Sequence, residues 1–203
     1  FLIWAMLGII IGGRLGYILF YNFSFYINSP IKILYVWQGG MSFHGGLIGI
    51  TLSMLLFTIK NNLKFLSFTD LICAAAPIGI FLGRISNFLN GELWGKESSL
   101  PWAIIFKCAG TTTRHPSQLY ESFLEGILIF SVLYYCIFKL NFLNKPGKIS
   151  GLFCILYASS RIIIEFFREP DRHIGLIYSY FTMGMFLSIP ILLIGIYLCL
   201  HKK

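Results

Sequence analysis

Six stretches of this chain, residues 1–21, 45–59, 71–88, 119–138, 151–167 and 177–200, are apolar over most of a length that can cross a lipid bilayer. About 20 such residues wound as a helix match the hydrocarbon thickness, and inside hydrocarbon every backbone N–H and C=O must find its partner within the protein. Only helices or a closed barrel meet that demand. Barrel strands would show as short segments of alternating polarity, and the stretches here are continuous. The expected fold is therefore all-α: a polytopic transmembrane helix bundle making one membrane domain over residues 1–203, with the shorter stretches 45–59 and 151–167 tilted little.

Composition agrees, with 57% hydrophobic and only 12% charged residues, against about 25% charged in soluble domains. The net charge of +8 could suit nucleic acid, but the Lys and Arg residues are spread over loops and termini without a basic stripe, so anionic lipid headgroups are the expected partner and nucleic acid is not. Cys73, Cys108, Cys136, Cys154 and Cys199 show no paired short spacing, so neither a disulfide framework nor a metal site is expected. The chain opens at Phe1 inside apolar sequence without a basic leader, which leads to the expectation of a further segment upstream. Six spans put both ends on the side of Lys60, Lys64, Lys139, Lys145 and Lys148, which is then cytoplasmic by the positive-inside rule. His44, Arg84 and Glu165 would then lie toward the outer face.

Charge inside apolar segments is the next signal, because its cost in hydrocarbon marks a functional site by default. Arg84 closes an apolar stretch and opens the run GRISNFLNGELWG over 83–95, with Asn87, Asn90 and Glu92 within two turns. A guanidinium there can grip a phosphate through paired hydrogen bonds; snorkelling or a pair with Glu92 are the plainer alternatives. Tyr157, Arg161 and Glu165 recur every fourth residue, so one helix face carries all three and the two charges are neighbours. Pro170 would stop that helix. His44 lies between two glycine pairs in GGMSFHGGLIG over 39–49, either a base near neutral pH or a packing histidine bonded to a backbone carbonyl. Glu121 and Glu125 stand one turn apart at the start of the fourth stretch; a helix dipole alone accounts for Glu121, while Glu125 is deeper. Arg14 is either one more inward cation or a snorkelling one.

The runs 39–49, 83–95, RHPSQLYESFLEG over 114–126 and YASSRIIIEFFREPD over 157–171 together resemble the bacterial prolipoprotein diacylglyceryl transferases, and the resemblance covers essentially the whole chain. It implies transfer of the diacylglyceryl group of phosphatidylglycerol to the thiol of the lipobox cysteine of a prolipoprotein, with release of glycerol phosphate and no metal or cofactor. It also implies a seven-span protein of the inner membrane, one span of which would precede Phe1, with the active site toward the periplasm. Carried over residue by residue, it makes Arg84 the headgroup contact, Arg161 an aid at the reacting centre and His44 the candidate base. Asn87, Glu92, Gly95, Tyr157 and Glu165 match further functional positions, and Ser86 stands where glycine is common in the family. A transporter for an anionic metabolite and a non-catalytic lipid-binding protein are the rival classes; the first would predict two halves of matching hydropathy, which this sequence lacks.

Overall fold

Helices account for most of the chain in a computed structural model that describes residues 1–169 and 182–200. Helix α1 (Leu2–Tyr21) is followed by a short α2 (Phe23–Asn28), two 3-10 turns and α3 (Phe43–Lys60). Then come α4 (Phe65–Leu89), α5 (Ser117–Glu121) passing through a π-helical segment (Ser122–Leu128) into α6 (Ile129–Phe138), α7 (Lys148–Ile164) and α8 (Met183–Leu200). Among the described residues three helices are long and apolar enough to cross a membrane, over Leu2–Leu19, Phe65–Leu89 and Ser117–Phe138; Gly45–Lys60 and Gly184–Leu200 are shorter apolar helices. Large apolar side chains such as Leu2, Leu82 and Leu193 remain exposed, as acyl-chain contacts require.

Several boundaries depart from expectation for visible reasons. Helix α4 starts at Phe65 rather than 71, because the apolar residues Phe65, Leu66 and Phe68 extend the stretch backward to Lys64. Helix α7 runs from Lys148 to Ile164 rather than over 151–167: Gly147, at φ +89°, turns the chain into it, and Glu165 is its C-cap. The expected stop at Pro170 and the first residues of the stretch 177–200 lie outside the described residues. The polar segment 90–118 carries a small antiparallel ribbon of β1 (Ile104–Ile105) and β2 (Thr113–Arg114).

By internal contacts the chain divides into two compact units, Phe1–Phe68 and Thr69–Lys203. In the first, α1 and α3 meet along glycine. Gly8, Gly12 and Gly16 recur every fourth residue on α1 and face Gly45 and Gly49, so closely that a Cβ on Gly12 would lie 2.8 Å from the Gly49 Cα. Lipid tails give helices no hydrophobic reason to associate, and close backbone approach supplies dispersion contact instead. Ser42 caps α3 by accepting from the Gly45 N–H at 3.3 Å, and its own N–H donates to the Gly13 carbonyl at 2.8 Å.

Arg14 does not snorkel. It is buried, and its guanidinium donates to five carbonyls of the following loop: Lys32 (2.6 Å), Ile33 (2.9 Å), Tyr35 (3.2 Å), Gly39 (2.6 Å) and Gly40 (3.2 Å). The Tyr26 ring covers it at 5.1 Å. Its work is to fold the segment that leads into α3.

The second unit is built around Ile129, Leu133, Cys136 and Ile149, with Leu156 and Tyr157 packed against them. Helices α7 and α8 again meet at glycines, Gly151 against Gly195. At the start of α7, Asp70 of α4 is fully buried and accepts from the Gly147 N–H (2.7 Å), the Ser150 N–H (2.7 Å) and the Ser150 hydroxyl (2.6 Å). A remote carboxylate thus satisfies two of the N–H groups at that helix end.

Candidate active site

Helix α4 carries Arg84 in its last two turns, and α7 carries Arg161 in its last turn, with Glu165 as the next residue on the same face. Between them runs the helix of Glu121 and Glu125, which turns π-helical at Ser122. A π segment adds residues to each turn and recurs at functional sites. Gly126, inside it, lets α4 come close: a Cβ there would lie 2.7 Å from the Cβ of Phe81, one turn before Arg84.

The charged ends converge. Arg84 Nη1 lies 2.7 Å from Glu121 Oε2 and its Nη2 3.3 Å from Glu125 Oε2. Arg161 Nη1 lies 3.2 Å from Glu121 Oε1 and 3.9 Å from Glu125 Oε1, while its Nη2 is 2.5 Å from Glu165 Oε1. Arg168, just past α7, adds a third guanidinium at 3.4 Å from Glu121 Oε1. Glu121 and Glu125 are fully buried, whereas the side chains of Arg84 and Arg161 keep 17% and 14% of their surface exposed. The carboxylates therefore form the floor and the guanidinium groups retain an accessible edge. Among the described residues three guanidinium groups face three carboxyl groups in this set, and such pairing is what makes buried charge tolerable.

The turn after α4 holds the cluster in place. Gly91 and Leu93 both take left-handed backbone, at φ +66° and +57°, to reverse the chain. Gln118 Nε2 then donates to the Glu92 carbonyl at 2.6 Å and the Ser117 hydroxyl to the Leu93 carbonyl at 3.1 Å, pinning the turn to the start of α5. Gly95 is buried and pairs with Arg168 in an antiparallel bridge, and its N–H donates to the His115 carbonyl at 2.9 Å. A Cβ on Gly95 would lie 2.6 Å from the Phe167 carbonyl oxygen. Arg114 closes this layer, donating to the Gly95 carbonyl and to Glu97 and Glu169.

Of the residues singled out in the sequence, Arg84, Arg161 and Glu165 thus share one cluster. Tyr157 stands one turn before Arg161, its ring stacked on Phe153 at 5.8 Å between centroids. The Asn87 carbonyl accepts from the Glu92 N–H at 3.0 Å; the Glu92 side chain is exposed and meets Asn90 at 3.4 Å instead of forming the expected alternative pair with Arg84. His44 belongs to the first unit, in the opening turn of α3, and its side chain lies outside the described residues. Among the described residues no three His, Cys, Asp or Glu side chains converge as metal ligands would.

The family model for prolipoprotein diacylglyceryl transferase matches residues 1–201 of this chain. The chain belongs to that family. It is 52% identical over 198 residues to the phosphatidylglycerol–prolipoprotein diacylglyceryl transferase of Brucella anthropi, covering 97% of this chain and 70% of that protein. To the enzyme of the same name from Sinorhizobium medicae it is 51% identical over 198 residues, covering 97% of this chain and 71% of that protein.

In this diacylglyceryl transferase family member Glu121, for which the sequence offers only a helix dipole as the cause, meets three arginines. The available signal was arithmetic: Glu121 and Glu125 are one turn apart, as are Arg161 and Glu165, so two acids on one helix could face buried cations on others. Arg168, in the run 157–171, is a further member of the cluster.

Proposed function

We propose that this chain is a transferase that moves the diacylglyceryl group of phosphatidylglycerol onto the lipobox cysteine thiol of a prolipoprotein, and that the cluster around Arg84 and Arg161 is its active site. The observation that carries the reading is that these two guanidinium groups, from helices far apart in sequence, both reach Glu121 and Glu125 and keep an accessible edge. The chain acts in the inner membrane, crossing it six times over the stretches read from the sequence, with the cluster toward the periplasmic side.

The cysteine sulfur bonds to the terminal glyceryl carbon of the diacylglyceryl group while the bond from that carbon to the phosphate oxygen breaks. The thiol proton goes to a base, and glycerol 1-phosphate leaves with the bonding electrons. Negative charge grows on the departing phosphate. Guanidinium groups already aimed at that position stabilise it most where water is scarce. Arg84 holds the headgroup phosphate and Arg161 the developing charge, with Glu165 orienting Arg161. His44 is the base that raises the thiolate fraction. Tyr157, Asn87, Glu92 and Gly95 complete the lipid site.

Purified protein given phosphatidylglycerol vesicles and a lipobox peptide tests the reading, with the thioether product followed by mass spectrometry. Arg84→Ala and Arg161→Ala are expected to abolish transfer, but they also strand buried carboxylates at a cost of about 3–5 kcal/mol. Arg161→Lys keeps the charge and loses the fork, so it should stay folded and lose about 30-fold or more in kcat/KM. Wild-type activity in folded Arg161→Lys, or uptake or binding of phosphatidylglycerol without product in the wild type, would refute the assignment.

A further inference from the structure

Glu121 and Glu125 carry the same charge, lie one turn apart and are both fully buried, yet they are held differently. Glu121 meets three guanidinium groups from three places in the chain: Arg84 on α4 at 2.7 Å, Arg161 on α7 at 3.2 Å and Arg168 beyond α7 at 3.4 Å. Glu125 meets only two of them, at 3.3 and 3.9 Å. Glu121 Oε1 accepts hydrogen bonds from both Arg161 and Arg168, while its Oε2 faces Arg84 as the closest ion pair of the three; the hydrogen bond of Arg84 itself goes to Glu125. Three like charges brought together in a poorly solvated place repel one another, and apolar packing offers no force that would hold them so. A shared anion does.

We infer that Glu121 is a positioning residue: it fixes the separation and aim of Arg84 and Arg161 so that one lipid phosphate meets both forks at once. This rests on the transferase reading above. Glu121 acts through the arginines and needs no contact with lipid or thiol. Removing its charge while keeping its shape has two separable consequences. The cluster gains one positive charge, so an anionic headgroup is held no more weakly. The arginines lose their common anchor, so the aim that lowers the barrier is lost. A carboxylate that served only the fold would change the yield of folded protein and leave the kcat of what folds alone.

The experiment compares the full chain, purified in micelles, as wild type, Glu121→Gln and Glu125→Gln, with kcat and KM for phosphatidylglycerol measured per folded molecule. Glu121→Gln is expected to lose about 100-fold in kcat, the scale of an ångström-sized misplacement, with KM unchanged or lower. Glu125→Gln makes the same substitution at the position with the longer ion-pair distances and is expected to lose less than about tenfold. Equal losses in the two variants, or a kcat within about twofold of wild type in folded Glu121→Gln, overturns the inference. Where Glu121→Gln does not fold, Glu121→Asp keeps the charge but draws it back by one methylene; a lowered kcat at constant KM supports the role, and a raised KM at constant kcat overturns it. A wild type that makes no thioether would sink the transferase reading alone. The positioning role is then read from the guanidinium 15N NMR signals of Arg84 and Arg161 in micelles: both moving together in Glu121→Gln supports it, and movement of one or neither overturns it.

Discussion

Asp70 should be worth more to this protein than any other single carboxylate outside the arginine cluster. It is fully buried and takes three hydrogen bonds at the start of α7, from the Gly147 N–H, the Ser150 N–H and the Ser150 hydroxyl. Bonds to a charged acceptor contribute about 1.5–3 kcal/mol each, and they are not additive within one network. Asp70→Ala removes all three and leaves two buried N–H groups without an acceptor, so about 3–5 kcal/mol of stability should be lost. Asp70→Asn can keep both Ser150 bonds with its amide oxygen but turns an NH2 toward the Gly147 N–H, donor against donor, for a loss of about 1.5–3 kcal/mol. Ser150→Ala leaves both backbone bonds in place and should cost about 1 kcal/mol. Unfolding of the purified variants in micelles by SDS titration, followed by far-UV circular dichroism, reads the series. Arg161 lies about 20 Å further along the same helix, so activity per folded molecule should stay at the wild-type level. An Asp70→Ala protein as stable as wild type, or an Asn variant less stable than the Ala one, would refute the reasoning.

Two glycine contacts give sharper geometric tests. Gly12→Leu would drive a side chain into the backbone of Gly45 and Gly49 and should cost more than about 3 kcal/mol, seen as loss of folded protein from the membrane, whereas Gly46→Ala, whose Cβ would find only an ordinary contact with Ile9, should be tolerated. Gly95→Ala would push a methyl group against the Phe167 carbonyl and His115, displacing the bridge to Arg168; a stability loss of about 1–3 kcal/mol with a larger fall in transfer activity is expected, and unchanged activity would show that the bridge does not aim Arg168.

The long helices were legible as predominantly apolar runs, and the ion pair of Arg161 with Glu165 because a spacing of four puts two residues on one face. The convergence of Arg84 with Arg161 was legible only as an expectation, since nothing in the spacing of residues on different helices fixes a distance between them. Other features leave no trace in residue types at all. The partners of Arg14 are five backbone carbonyls, which every sequence possesses. The π-helical segment over Ser122–Leu128 has the composition of an ordinary helix. Glu121 was misjudged because a local cause, the helix dipole, accounted for it before any tertiary cause was needed. Asp70 looks like any acid in a connector, and its use as a cap from a distant helix depends on a turn at Gly147.

The helix from Ser117 to Phe138 changes character along its buried side. Its first half hides Ser117, Gln118, Glu121, Ser122 and Glu125, and its second half hides Ile129, Leu133 and Cys136. The polar storey rests on an oily basement in which Ile129 and Leu133 are sealed to 0% and 1% exposure and share one buried cluster with Ile149. Among the described residues, the buried side of this one helix is thus charged above and apolar below, so its two carboxylates and the arginines they meet are gathered at a single level of the unit.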